Sequence, residues 1–564
     1  MIALFALKQF VFLSGENNLK QIIVVSILAY LFSKIKIDVI NLPTRGIGRV
    51  YINTRYKRLQ TLYQIEKFLI STIVLLGICI LEFVFVQFGP IGDEHLIMMA
   101  TQLEGKQNLL EKTDIILMLL SKNIIPSFSI FLYVAYYVYS KNIIRITFFD
   151  ENSSFSFNFY FTSTILTLIL LISFFSFGYM IYEPWKYTDS TFFRDNYVFS
   201  DNIITFPKKK RNILVILLES VENTFGSKKN GGAFDESLIP NLEKISLDPK
   251  NIHFTDIEGK LGGIDVIATT GYSLAAAFGM MCGCPTGKYG HSTSNYRELM
   301  FYPKMTCIGD ITKKHGYRNL AMFGTHFGEF SHGYTFTAHG FDRKDVYSKS
   351  ETAPEHRKWV SDYIQIKHLK KHLTKLAESE NPFFYVFSTI DTHTPGFRCK
   401  YCNVTYNGIK DTNKCNDRQI YELLEWLKQQ SFYNDTTIVL VGDHLVMNGE
   451  ITSYCNDIEY SRRRAILTII NSVVQPKTRI KSHSLMFDLY PTILAASGVK
   501  IAGNKLSLGT NLFSGEKTLM DLYGRSYLDG EFGMQSKWFI EKVCGSRINV
   551  NEPNLEVNLT IFQK

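Results

Sequence analysis

Four apolar runs in this sequence end in residues that bind metals or carry protons. "NILVILLES" (212–220) ends in Glu219-Ser220, and "NLAMFGTH" (319–326) ends in Thr325-His326. "PFFYVFSTIDTH" (382–393) ends in Asp391-Thr392-His393, and "TTIVLVGDH" (436–444) ends in Asp443-His444. One Asp-His pair at a strand end usually just meets solvent. Carboxylate or imidazole recurring at four such ends is hard to explain by packing alone. Two carboxylates and an imidazole can hold one divalent cation, with a hydroxyl as the fourth ligand. A hydroxyl on such a cation loses its proton more easily and becomes a nucleophile at neutral pH. "GGIDVIATTGYSLAAAFGMMCGCP" (262–285) offers Thr269, Thr270 and Ser273 just before a small-residue helix at 274–281. A nucleophile at a helix N-terminus gains amide donors and the dipole, both suited to phosphate oxygens. A plain N-cap serine would give the same pattern.

The elements that must position these residues follow from hydrophobic pattern. Nearly unbroken apolar runs fit strands buried on both faces of a largely parallel sheet. Such open sheets carry their sites at the carboxyl ends of the strands. Segments 362–379 and 417–430 read as amphipathic helices between the strands, which gives an α/β domain covered on both faces. No internal repeat or low-complexity tract interrupts it.

At 564 residues the chain is too long for one ordinary domain. Its 43 phenylalanines and 31 tyrosines are concentrated enough to need explaining, and the first 185 residues explain them. Residues 68–88 and 159–182 are long and apolar enough to cross a bilayer as helices. Residues 22–40 and 124–140 are counted with them, for about four spans, and 1–13 is left open. No A-x-A-like cleavage site follows 1–13, so no removed signal peptide is expected. Arg45, Arg49, Arg55, Lys57, Arg58 and Lys67 mark the first loop as cytoplasmic, which puts everything after residue 182 outside. The expected organisation is a transmembrane domain at 1–185, a connector at 186–211 and an exported α/β domain at 212–564. Glu82, within a span but near its outer end, is given a structural role. The basic run "KKKR" (208–211) is either solvated charge or a contact for anionic headgroups.

Of nine cysteines, only Cys79 falls in a span, and the other eight lie in the expected exported region. An even number in an oxidising place favours disulfides over a zinc site for Cys399, Cys402 and Cys415. Cys402–Cys415 would close a short polar loop beside His393.

The ordered set "LLES", "TTGYSLAAAFGMMCGCP", "CIGDITKKHGY", "HGFD", "STIDTHTPG", "VGDHLVMN" and "FDLYPTILAASG" resembles the membrane phosphoglycerol transferases of the alkaline phosphatase superfamily. It is most similar to the phosphoglycerol transferase I type that decorates periplasmic glucans, with lipoteichoic acid synthase as a more distant relative. The resemblance runs from about residue 212 to 515. It implies an alkaline-phosphatase-like fold and a metal site of Glu219, Ser273, Asp443 and His444. Ser273 stands as the nucleophile where the family has threonine, which keeps Thr270 as a rival. His393 falls on the substrate-contacting histidine, and His326 and His332 are further substrate-binding candidates. His332 stands where the synthase relatives carry a phosphate-binding arginine. The resemblance also implies a Cys282–Cys307 bridge, since both cysteines lie in matching segments.

The implied activity is transfer of phosphoglycerol from phosphatidylglycerol to a cell-envelope glycan, through a phospho-serine intermediate, with diacylglycerol released. The implied cofactor is Mn²⁺ or Mg²⁺ rather than Zn²⁺. The partners are the donor lipid, the glycan and the membrane, with no nucleic acid. The setting is a bacterial inner membrane with a periplasmic catalytic domain. Two alternatives stay open: a phosphoethanolamine transferase acting on lipid A or glycan, and a catalytically inactive envelope scaffold. Sulfatase activity is disfavoured because "CGCPTGK" lacks the C-x-P-x-R needed for formylglycine formation.

Overall fold

The computed structural model describes Ile146–Asp150, Ser153–Phe157 and residues 190–544, apart from 286–301, 303, 329–331, 353–358, 395, 398, 400, 403–407, 447–461, 482 and 535. The chain divides into two compact units. One comprises Met1–Phe83 with Thr113–Ile181, and the other Val84–Lys112 with Tyr182–Lys564. In the first, Ile146–Asp150 and Ser153–Phe157 pair as an antiparallel hairpin.

The second unit is built on a six-stranded sheet. Its strands are β1 (Asn212–Leu218), β2 (Arg318–Met322), β3 (Val346–Tyr347), β4 (Phe383–Ser388), β5 (Thr436–Gly442) and β6 (Leu467–Ile470). Their spatial order is β3-β2-β4-β1-β5-β6. All neighbouring pairs are parallel except β5–β6, which is antiparallel at the edge. Central β1 pairs Leu217 with Ser388 of β4 and Leu218 with Gly442 of β5. Three strands therefore end level, and the residues that follow them share one edge.

The unbroken apolar runs are explained by burial on both faces. Ile213, Val215 and Leu217 of β1 pack with Val439 and Val441 of β5 into one core. That side is covered by α2 (Ser273–Cys282), α3 (Ile308–Lys314) and α7 (Leu489–Ala496). Leu214, Ile216 and Leu218 face the opposite core, covered by α1 (Pro240–Leu247), α5 (Asp362–Leu376) and α6 (Gly408–Lys428). The remaining α4 (His332–Ala338) lies between β2 and β3 in sequence.

Helix α6 starts at Gly408 rather than at the expected residue 417. Its first turns bury Thr412, Asn413, Asn416 and Asp417, so the inward face there is polar and carries no apolar period. Residues 190–211 are folded onto the same unit. Phe192 and Phe193 are buried, and Ile204–Thr205 pairs with Lys500–Ile501. Three of the four basic residues make protein contacts: Lys209 pairs with Asp435, Lys210 donates to the carbonyl of His315, and Arg211 donates to that of Asn471.

The membrane part of the expected architecture is corrected. Among the described residues no helix is long and apolar enough to cross a membrane. The longest, α6, is amphipathic and charged, and apolar α2 and α7 have ten and eight residues against the roughly 20 a span needs. The multi-pass topology, the membrane partner and the inner-membrane, periplasmic setting rested on 22–40, 68–88, 124–140 and 159–182. Those segments, with 1–13, Cys79 and Glu82, lie outside the described residues. What the fold supports is a mixed α/β domain.

Candidate active site and metal centre

Glu219 follows β1, Asp443 and His444 follow β5, and Ser273 is the first residue of α2. Level strand ends and the N-terminus of α2 bring all four together. The Ser273 hydroxyl lies 3.1 Å from Glu219 Oε2 and 3.2 Å from His444 Nε2. His444 Nε2 is 3.4 Å from Glu219 Oε1 and 3.6 Å from Asp443 Oδ2. Single ligand atoms of Glu219, Asp443 and His444 lie within 4.8 Å of one another. Ser273 does not serve as the N-cap, which is Tyr272. Its hydroxyl is turned to the cluster instead of to the helix. Thr270 is fully buried and closes a local turn with Ile267, to which its hydroxyl donates.

The backbone around these residues is over-determined. Ser220 adopts a left-handed φ of 54°, unusual for a residue with a Cβ. Its amide donates to Asp443 Oδ1 at 2.8 Å and its hydroxyl to Glu219 Oε1 at 2.7 Å. The twist at Ser220 thus ties the two carboxylates together. The Glu219 amide donates to Thr389 Oγ1 at 2.9 Å, and Thr392 Oγ1 donates to the Glu219 carbonyl at 2.5 Å. His444 Nδ1 faces the Leu445 carbonyl at 2.9 Å, an acceptor that holds a proton on Nδ1 and turns Nε2 toward the cluster.

The donor set suits a divalent cation. Burial, aided by the neighbouring Glu219 charge, pushes the Asp443 carboxyl up to about 6. Burial works to lower the His444 imidazole, yet the Asp443 and Glu219 carboxylates outweigh it and hold the ring above its usual range. Asp443 and His444 thus both bind protons more tightly than usual, and a cation would compete with those protons. Oxygen-rich ligands with one imidazole fit a hard-to-borderline ion.

His393 is partly exposed on the turn after β4, with Nδ1 3.0 Å from the Thr394 carbonyl and its ring edge-on to Trp359 at 4.9 Å. Asp391, also at that strand end, is not part of the cluster; it accepts from the Asp362 amide at 3.2 Å. His332, at the start of α4, is buried, and burial lowers its imidazole to about 4 while the Asp443 charge acts the other way. His326 is exposed after β2. Both expected bridges form. Cys282–Cys307 has a Cα separation of 4.2 Å, and Cys402–Cys415 one of 5.7 Å.

Several residues at the site escaped sequence reasoning. Buried Glu222 pairs with buried Arg463 and accepts the Val446 amide, holding the segment just after His444. Buried Asp362 and the threonines at 389 and 392 brace the His393 turn. Their only signal was polarity inside or beside an apolar run, which sequence alone does not separate from solvent exposure.

The family model described as Sulfatase matches residues 211–499, just over half of the chain. Phosphoglycerol transferase I of Xanthomonas campestris pv. campestris (strain B100) is 27% identical over 308 residues, covering 51% of this chain and 41% of the relative. The chain thus spans about two fifths of the length of the curated relatives it matches. A protein in the alkaline phosphatase superfamily from Vibrio parahaemolyticus aligns over 56% of this chain and 74% of its own, with TM-score 0.42 and 18% identity. The lipoteichoic acid synthase LtaP from Listeria monocytogenes aligns over 56% and 82%, with TM-score 0.43 and 13% identity.

Proposed function

Because the chain belongs to the sulfatase family and is a distant relative of phosphoglycerol-transferase-type enzymes, we propose that it transfers phosphoglycerol from phosphatidylglycerol to a glycan through an ester on Ser273. The catalytic domain in this reading is residues 212–564. The observation that carries it is the Ser273 hydroxyl, held within hydrogen-bond distance of both Glu219 and His444 at the start of a helix.

Glu219, Asp443, His444 and Ser273 would hold one divalent ion, Mn²⁺ or Mg²⁺ in preference to Zn²⁺. When bound, the ion would lower the pKa of the Ser273 hydroxyl and offset charge on the phosphoryl oxygens. Ser273 Oγ attacks phosphorus, the bond from phosphorus to the diacylglycerol oxygen breaks, and diacylglycerol leaves with a proton. A phosphoglycerol ester remains on Ser273. A glycan hydroxyl then attacks the same phosphorus, its proton is removed, and Ser273 Oγ leaves and is reprotonated. Amides of the first turn of α2 have no intrahelical partner and suit the phosphoryl oxygens. His393, with Nδ1 turned to the Thr394 carbonyl, keeps Nε2 as its proton-accepting atom for the alcohol that leaves or enters. Buried His332 is neutral, so it would contact the donor headgroup as a hydrogen-bonding group rather than a cation. His326 completes the substrate-facing set.

The test incubates the Mn²⁺-loaded chain with glycan and headgroup-labelled phosphatidylglycerol or phosphatidylethanolamine. Label reaching glycan from phosphatidylglycerol alone is expected. Label from phosphatidylethanolamine instead would make it a phosphoethanolamine transferase. No label from either would leave the inactive scaffold.

A further inference from the structure

We propose that Asp362 is a positioning residue that fixes the turn bearing His393. The proposal rests on the role given above to His393. Asp362 is the first residue of α5 and is completely buried. A buried carboxylate needs partners, and apart from Gln365 Nε2 of its own helix at 3.5 Å, those of Asp362 lie on this turn or on the helix behind it. Oδ1 accepts the Ile390 amide at 2.7 Å, and Oδ2 accepts the Asp391 amide at 3.2 Å and Asn416 Nδ2 at 3.0 Å. The Asp362 amide returns a bond to Asp391 Oδ2 at 3.2 Å. Two consecutive backbone amides and a reciprocal carboxylate are thus held from α5.

The other side of the turn is already anchored. Thr389 and Thr392 bond the Glu219 backbone, and the Thr389 amide pairs with the Leu217 carbonyl at 2.9 Å. The turn closes through His393 N to Ile390 O at 3.0 Å and Gly396 N to His393 O at 2.7 Å. Fixing Ile390 and Asp391 therefore fixes the His393 backbone. Trp359, three residues before Asp362, sets its ring against the His393 imidazole. The Val360 amide donates to the Gly324 carbonyl at 2.8 Å, which ties the same segment to the loop of Thr325 and His326. One short stretch ahead of α5 thus places two strand-end loops. It also accounts for Asn416 on the buried face of α6, whose side-chain amide donates to the Asp362 carboxylate.

Asp362→Asn tests this with little change in volume. Either orientation of the amide sets its NH₂ against an N–H donor, since both carboxylate oxygens accept from backbone. In the full Mn²⁺-loaded chain, kcat on labelled phosphatidylglycerol and on a chromogenic phosphodiester is predicted to fall about 100-fold, with KM within about threefold. In a His393→Ala background the same substitution should add less than about threefold, because no imidazole is left to place. Asn416→Ala, which removes one donor without an opposed pair, should cost less in the same direction and serves if Asp362→Asn does not fold. Amide exchange needs no turnover: Ile390 and Asp391 should exchange faster in either variant while β1 and β5 stay protected. Losses that multiply in the double variant, or unchanged exchange at Ile390 and Asp391, overturn the proposal. A wild-type chain inactive on both substrates refutes the transferase reading, and the exchange data still decide the role of Asp362.

Discussion

Truncating Arg463 to alanine should destabilise the protein by about 3–5 kcal/mol, because it strands a buried carboxylate. Glu222 is fully buried and Arg463 is 2% exposed. The guanidinium donates to Glu222 Oε2 at 2.8 Å and Oε1 at 2.5 Å, and to the Val446 carbonyl at 2.6 Å. After truncation Glu222 keeps the Val446 amide at 3.1 Å, too little to offset a desolvated charge. Replacing both partners removes the charge problem, so Glu222→Gln with Arg463→Met should lie within about 1–2 kcal/mol of wild type. Urea unfolding with linear extrapolation measures both. Since Val446 lies two residues beyond His444, Arg463→Ala should also weaken Mn²⁺ binding. An Arg463→Ala variant within about 1 kcal/mol of wild type would refute the reasoning.

Cys282→Ser with Cys307→Ser removes a bridge spanning 25 residues, and loop-closure entropy sets the cost at about 3.5 kcal/mol, read by the same unfolding curves. Asp488 is a pH probe: burial raises its carboxyl to about 7, so the folded chain keeps a proton that the unfolded chain releases near 4. Its contribution is complete at low pH and is lost as pH rises through about 7, so the melting-temperature gap between wild type and Asp488→Asn should narrow from pH 4 to 7. A gap that widens would reverse that sign. Thr270→Ala should keep turnover within about tenfold of wild type, because its hydroxyl closes a local turn, and labelled-lipid turnover checks this.

The part of the fold that was legible was the part written in uninterrupted apolar residues. Runs such as "NILVILL" and "TTIVLVG" have no polar face, so they required cover on both sides, and the sheet has it. Their polar ends converge because parallel pairing makes β1, β4 and β5 end level. Short edge strands β3 and β6 were not among the four runs. The N-terminal turns of α6 were missed because Asn413 and Asn416 are buried where apolar residues are the usual signal. Asp362, Glu222 and Arg463 look like surface charge until partners distant in sequence are known. Serine as an N-cap was the better guess at 273 from local pattern. Only the approach of Glu219 and His444 sets its hydroxyl apart from an ordinary cap.

Trapping the enzyme on its donor tests the central claim most directly. The full Mn²⁺-loaded chain is incubated with headgroup-labelled phosphatidylglycerol and no acceptor, quenched, digested and mapped. The label should sit on Ser273, should vanish in Ser273→Ala, and should return on the substituted residue in Ser273→Thr. Label on Thr269 or Thr270, or full turnover by Ser273→Ala, would contradict the account and move the nucleophile elsewhere.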